Sequence, residues 1–244
     1  MTTIIDPVDP LAVAATDAIH RGDVARLRQL LTDHPPLATA AVDTVGPDGT
    51  TRTLLHVATD WPGHHPNVAD TIAVLVAAGA DVNARFTGRH TETPLHWAAS
   101  SDDVDALDAL LDAGADIEAT GAVIAGGTPL DDAVAFGQWH TARRLVERGA
   151  HTNLFNAAAL GLLDRVREHL AASTDPAEIL SAFWAACHGG QQPTAEYLLQ
   201  KGAELNWVAP WDGLTPLDAA RRSKAAQLAA WLTERGAQPA NNQD

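Results

Sequence analysis

The apolar positions of this chain fall into short helical stripes that come in pairs. The clearest pair lies at 93–117. Leu95, Ala98 and Ala99 are spaced three and four residues apart, so they share one helical face, and the alanines let a second helix come close. Thr93 stands where its hydroxyl can cap the helix start. Pro94 takes the first helical position, where no N–H is needed. A second stripe follows in Val104, Leu107, Leu110 and Leu111, and Gly114 sits where a helix ends in a left-handed residue. The stretch predicts a helix–turn–helix unit followed by an extended finger.

The pattern recurs along the chain. Gly-Ala pairs at 79–80, 114–115, 149–150, 202–203 and 236–237 are separated by 35, 35, 53 and 34 residues. Helix-start threonines fall at 53, 93, 128 and 215. A period of about 34 residues carrying Thr93-Pro94-Leu95-His96 and Gly114-Ala115-Asp116 resembles the ankyrin repeat. The resemblance implies an all-α solenoid of about seven helix–turn–helix units with short hairpin fingers. The expected units are 11–44, 45–84, 85–119, 120–153, 154–175, 176–206 and 207–238, after a loose lead-in over 1–10 and before a disordered tail over 239–244. No unit can bury both faces alone, so 11–238 is expected to be a single domain. The first unit and the last, with its polar Lys224, Gln227 and Glu234, are the expected caps. Asp48-Gly49 is the expected turn of the second unit. That unit also holds about five extra residues around Trp61-Pro62-Gly63-His64-His65-Pro66-Asn67, where two prolines and a glycine bar a helix and predict a protruding loop. The fifth unit starts almost directly after Asn153, so its finger is missing.

Composition narrows the function classes. Hydrophobic residues make up 46% of the 244, which is ample for a core. The net charge of −15 repels phosphate and anionic lipid, so neither nucleic acid nor a membrane is the expected partner. A basic partner is favoured instead. Cys187 is the one cysteine, which excludes an intrachain disulfide and fits a reducing, cytoplasmic setting. Met1 to Asp6 has no basic n-region, and no stretch is long and apolar enough to span a bilayer.

Catalytic motifs are missing: there is no G-x-S-x-G, H-E-x-x-H or phosphate-loop pattern. Cys187 and His188 are adjacent, and neighbours on a helix point about 100° apart, so they form no dyad by themselves. Asp60, His64 and His65 are residue types that ligate metals, but no ligand spacing supports a site, so no metal or cofactor is expected. The resemblance implies that His56 and His96 are structural, bonding backbone between repeats, and that partners meet the concave side and finger tips. On that reading Trp61, His64, His65, Arg89, His90 and Glu92 are the partner-binding residues, no residue is catalytic, and the chain is a non-catalytic scaffold for a protein or peptide. The surplus of tryptophan, seven against one tyrosine, motivates an alternative. Asp60, Trp97, Ser100, Trp139, Trp184, His188, Trp207 and Trp211 would then line a pocket for a small molecule, with or without enzymatic activity. A third reading has the acidic face mimic nucleic acid in an antagonist.

Overall fold

The computed structural model describes residues 3–43, 49–173 and 175–240. Asp48 of the expected turn and the last four residues of the expected tail lie outside them. The chain divides into two compact blocks, 1–150 and 151–244.

In the first block, strand β1 (Ile4–Ile5) precedes α1 (Pro10–Arg21) and α2 (Val24–Asp33). Then come β2 (Ala41–Asp43) and β3 (Thr51–Thr53). Three further helix pairs follow: α3 (Leu54–Thr59) with α4 (Val68–Ala77), α5 (Pro94–Ser100) with α6 (Val104–Asp112), and α7 (Pro129–Ala135) with α8 (Trp139–Glu147). The second block holds α9 (Leu154–Ala159) with α10 (Leu163–Ala172), α11 (Pro176–His188) with α12 (Gln192–Gln200), and α13 (Pro216–Arg222) with α14 (Ala226–Glu234).

Two expectations are corrected at the ends. Part of the presumed lead-in is a strand: Ile4 and Ile5 pair in parallel with Ala41 and Val42, and β2 pairs antiparallel with β3. Two β-branched residues beside an otherwise unpaired edge supply the reason. At the other end, the Ala240 N–H donates to Asp218 Oδ2 at 2.7 Å, so the expected tail is held at its first residues.

Helix starts follow local chemistry. Asp23, Asp103 and Asn153 accept backbone N–H groups of Arg26, Ala106 and Asn156 at 2.8–3.0 Å, satisfying donors that the first turn leaves open. Thr128 and Thr215 form capping boxes with Asp131 and Asp218. Where histidine takes that place, the Nδ1 of His56 and of His96 meets the threonine hydroxyl at 2.9 Å. The opposite nitrogens reach the Glu92 carbonyl at 3.2 Å and the Gly127 carbonyl at 3.3 Å. A carbonyl only accepts, so each Nε2 carries a proton, and the threonine N–H donates to each Nδ1, at 3.3 and 3.1 Å, so the rings are neutral.

Packing between first helices depends on one small residue per repeat. Ala58, Ala98, Ala133, Ala158, Ala186 and Ala220 are all fully buried. A larger side chain there would force the pairs apart. Second helices contribute leucines such as Leu107, Leu110, Leu145 and Leu198, also fully buried.

Burial of His56 lowers its pKa from the ordinary 6.5 to about 4. Burial also lowers His96. A depressed histidine stabilises the fold above its unfolded pKa, and that contribution is lost as pH falls from 6.5 toward 4. In urea titrations the wild-type midpoint is therefore expected to fall relative to that of His56→Gln with acidification through this window. A constant difference between the two midpoints would contradict the assignment.

Candidate functional site

In the first block two features stand apart from the helix pairs, and all six expected partner-binding residues belong to them. The first is the loop 60–67 between α3 and α4. It is tied on both sides. Asn67 Nδ2 donates to the Gly22 carbonyl at 2.9 Å, and the His65 ring stacks on His20 with centroids 4.7 Å apart. Toward the following repeat, the His64 N–H donates to Asp103 Oδ2 at 2.5 Å and its ring Nε2 bonds the Ser101 carbonyl at 3.1 Å. Gly63 packs so closely on Ser101 that an added Cβ would stand 3.0 Å from the serine Cβ. Asp60 pairs with Arg52. Trp61 projects from this anchored loop with 78% of its surface exposed.

The second feature is the pair of fingers before α5 and α7. Their backbones are linked: the Thr91 N–H donates to the Gly121 carbonyl, and Arg85 Nη1 bonds the carbonyls of Thr91 and Thr120. The Glu92 carbonyl accepts from Phe86 N–H at 2.8 Å and from the His56 ring, which fixes the base of the first finger. The Glu92 side chain then points inward. Its Oε2 accepts the Trp97 indole N–H at 2.8 Å and stands 3.0 Å from His90 Nδ1, while Oε1 accepts Val123 N–H at 2.9 Å. Glu92 is only 6% exposed, so the expectation of an open anchor at this residue is corrected. Its two oxygens are engaged by groups on either side, which draws it under the finger. His90 is half-buried and stacks on Phe86 at 4.6 Å; Phe86 lies 5.5 Å from Trp97, and Trp97 meets His56 edge-on at 4.8 Å. Arg89 is exposed.

Facing Glu92 is Asp132, fully buried, with both carboxyl oxygens lacking a hydrogen bond of normal geometry. Burial, then the Glu92 carboxyl beside it, raise its pKa far above the carboxylate range. Asp132 therefore keeps a proton at neutral pH. Sequence reasoning missed this residue, although a signal existed. Asp131 takes the place of the histidines. The next position is Val57, Trp97 and Ala219 in the other well-formed repeats, and here it is a second acid.

The expected pocket residues are distributed between the blocks. In the first block, Trp97 contacts His56 and Phe86, and the Ser100 hydroxyl bonds the Trp97 carbonyl. Trp139 opens α8 and is half-buried. In the second block, four of the residues do assemble. Trp184 packs against Trp211 at 5.3 Å and against His188 at 5.2 Å, and Trp207 meets Trp211 at 5.4 Å. Phe155, which the sequence did not single out, joins at 6.2 Å from Trp184. Arg222 lies over Trp184 at 5.3 Å, held by Asp212. The Trp184 indole N–H is buried without a partner, and Trp211 is 51% exposed. Cys187 is fully buried and burial pushes its thiol pKa up, which unfits it as a nucleophile. Among the described residues, no cluster of three or more metal-ligating side chains is present, and no helix is long and apolar enough to cross a membrane.

Among the described residues, seven helix pairs, each with a capped first helix, define the class: an all-α repeat solenoid whose inserted loop and finger ends carry its distinctive side chains. The chain is an ankyrin repeat protein. A family model for ankyrin repeats (3 copies) matches residues 70–156. An ankyrin repeat and KH domain-containing protein of Caenorhabditis briggsae is 32% identical over 179 residues, which are 69% of this chain and 7% of that protein. The chain thus spans a small fraction of the length of that relative. The crystal structure of the human ASB11 ankyrin repeat domain superimposes with a TM-score of 0.53 at 22% identity, covering 95% of this chain and 100% of that one. Ankyrin repeats generally mediate protein–protein interaction.

Proposed function

We propose that this chain is a non-catalytic recognition module that binds a protein or peptide through the first block, using the 60–67 loop and the adjoining finger tips. The presentation of Trp61 carries the reading. A tryptophan exposed to 78% has no packing role, yet the loop beneath it is fixed to the repeats on both sides. An aromatic anchor held in place before contact loses little freedom on binding, and tryptophan is among the residues that dominate interface energetics. The net charge of −15 favours a partner with a basic surface. A soluble cytoplasmic setting agrees with the single buried cysteine.

The test is affinity capture from the native lysate with wild type and with Trp61→Ala/Arg89→Ala. One partner recovered by the wild type and lost by the double variant is expected. Thermal stability should stay within about 0.5 kcal/mol, because exposed substitutions remove no core contact. Equal recovery by both proteins would refute the reading. One observation favours a second reading, a small-molecule site in the second block. The Phe155, Trp184, Trp207 and Trp211 cluster keeps an indole donor unpaired, as a site awaiting an acceptor would. A metabolite retained in native mass spectrometry and lost in Trp184→Phe would support it.

A further inference from the structure

The Glu92–Asp132 pair is a poor solution for stability. Asp132 is 0% exposed and its oxygens lack well-formed hydrogen bonds, whereas buried polar groups are destabilising unless paired. The surroundings nevertheless suit a flat cation. Trp97 holds Glu92 Oε2 and Val123, in the covering turn, holds Oε1, so displacing the turn frees one oxygen while Trp97 keeps the other in place. Trp97 and His90 point ring nitrogens at the carboxylate, and Phe86 stacks on His90. A guanidinium group is planar and bonds carboxylates through its fork of donors. The cover over the pair is slight. It is the turn around 122–127, where Val123 and Ile124 are 52% and 44% exposed and Ala125 holds a left-handed φ of +54°, unfavourable for a residue with a Cβ.

We propose that Glu92 and Asp132 form a recognition site for one arginine side chain of the partner, reached by displacement of the 122–127 turn. The source of the arginine rests on the protein-binding reading above; the affinity for guanidinium rests on the pair itself.

Charge balance defines the event. In the free chain Asp132 is a neutral acid beside Glu92. Asp131 and the Ile124 peptide are its other polar neighbours, and His90, His56 and His96 are the titratable rings around the two fingers. Arg85, which bonds the carbonyls of Thr91 and Thr120, is the nearby cation. When a guanidinium enters, Asp132 gives its proton to solvent and both carboxylates face the cation. The net charge of the pocket is conserved, so cation uptake and proton release are one exchange.

The probe is n-butylguanidinium, titrated calorimetrically into the full chain in phosphate and in Tris, whose ionisation heats differ. Saturable one-site binding is expected, with close to one proton released per ligand at pH 7. The affinity should rise up to about tenfold per pH unit between pH 6 and 8. Asp132→Asn should abolish the proton release, and Glu92→Gln should weaken binding at least about tenfold, the loss of a charge-assisted partner. Far-UV circular dichroism and a cooperative melt establish that both variants fold. Absence of saturable binding, or binding whose affinity ignores pH, overturns the proposal. Equal affinity for n-butylammonium overturns the assignment to arginine. Neither result depends on Trp61, so capture of a partner through Trp61 can succeed while this site fails, and the reverse.

Discussion

Gly189→Ala is expected to cost about 3 kcal/mol or more, or to prevent the second block from folding at all. The glycine has an ordinary φ of −80°, so the penalty is not conformational. It is a matter of space. A Cβ on Gly189 would stand 1.8 Å from the Ala159 carbonyl oxygen and 2.7 Å from its carbon. Those atoms are backbone and cannot swing aside as a side chain would. Relief requires α9 and α11 to separate, and with them the interface around the fully buried Ala158 and Ala186. Gly202→Ala provides the contrast. Its φ is +101° but nothing lies within 4 Å, so only backbone strain of about 1 kcal/mol is expected. Urea unfolding of the two variants side by side separates the effects. Comparable, small losses would show that the helices yield easily, and would contradict the close packing described for this pair.

Asp132→Asn should act in the opposite direction and raise stability at pH 8 by about 2 kcal/mol, some 4–8 °C in melting temperature for a chain of this size. The sign follows from linkage. The folded pKa of Asp132 is raised from the ordinary 3.8 to about 9. Its contribution to stability is therefore greatest below pH 3.8 and declines with every step of pH toward 9, because the unfolded chain releases the proton that the folded chain retains. Between about 4 and 6.5 the buried His56 works in the reverse sense, so the two slopes offset there. Between 6.5 and 8 Asp132 carries the slope; nearer 9 the raised Cys187 thiol adds to it in the same sense. Asparagine keeps the shape and a donor toward Glu92 without a proton to lose. Wild-type melting temperatures should fall from pH 6.5 to 8, and those of the variant should not. A variant less stable than wild type at pH 8 would sink this account. A gain would identify a position where the natural residue is not the most stable one, the usual mark of a residue retained for another purpose.

The scaffold was legible because its determinants are local. Thr93-Pro94 starts a helix, Gly114 ends one, and alanines at a fixed offset from the start set how closely helices pack. The two histidine bridges were legible as well, through the resemblance to the ankyrin repeat that His56 and His96 share. What escaped was long-range. His20 and His65 are far apart in sequence, and nothing in either segment announces that their rings stack. Glu92 read as a surface acid because its partners, Trp97 and Val123, lie on two different elements. Asp132 was passed over beside Asp131, which performs the capping. The strand at Ile4–Ile5 exists because β2 offers it an edge.

Several arginines of this chain are occupied at home. Asp108 is shared by Arg144 and Arg148, Arg148 also reaches Asp112, and Arg52, Arg167 and Arg222 each face an aspartate. Cations neutralised in this way contribute little to the potential at a distance, so an approaching molecule meets chiefly the surplus acid. Such a field is felt over roughly one Debye length, about 8 Å in physiological salt and about 30 Å at 0.01 M. The consequence is kinetic. A cationic partner is gathered from solution and turned toward the surface before any side chain touches, and dilution of the salt lengthens the reach of that capture while leaving the lifetime of the complex to the short-range contacts.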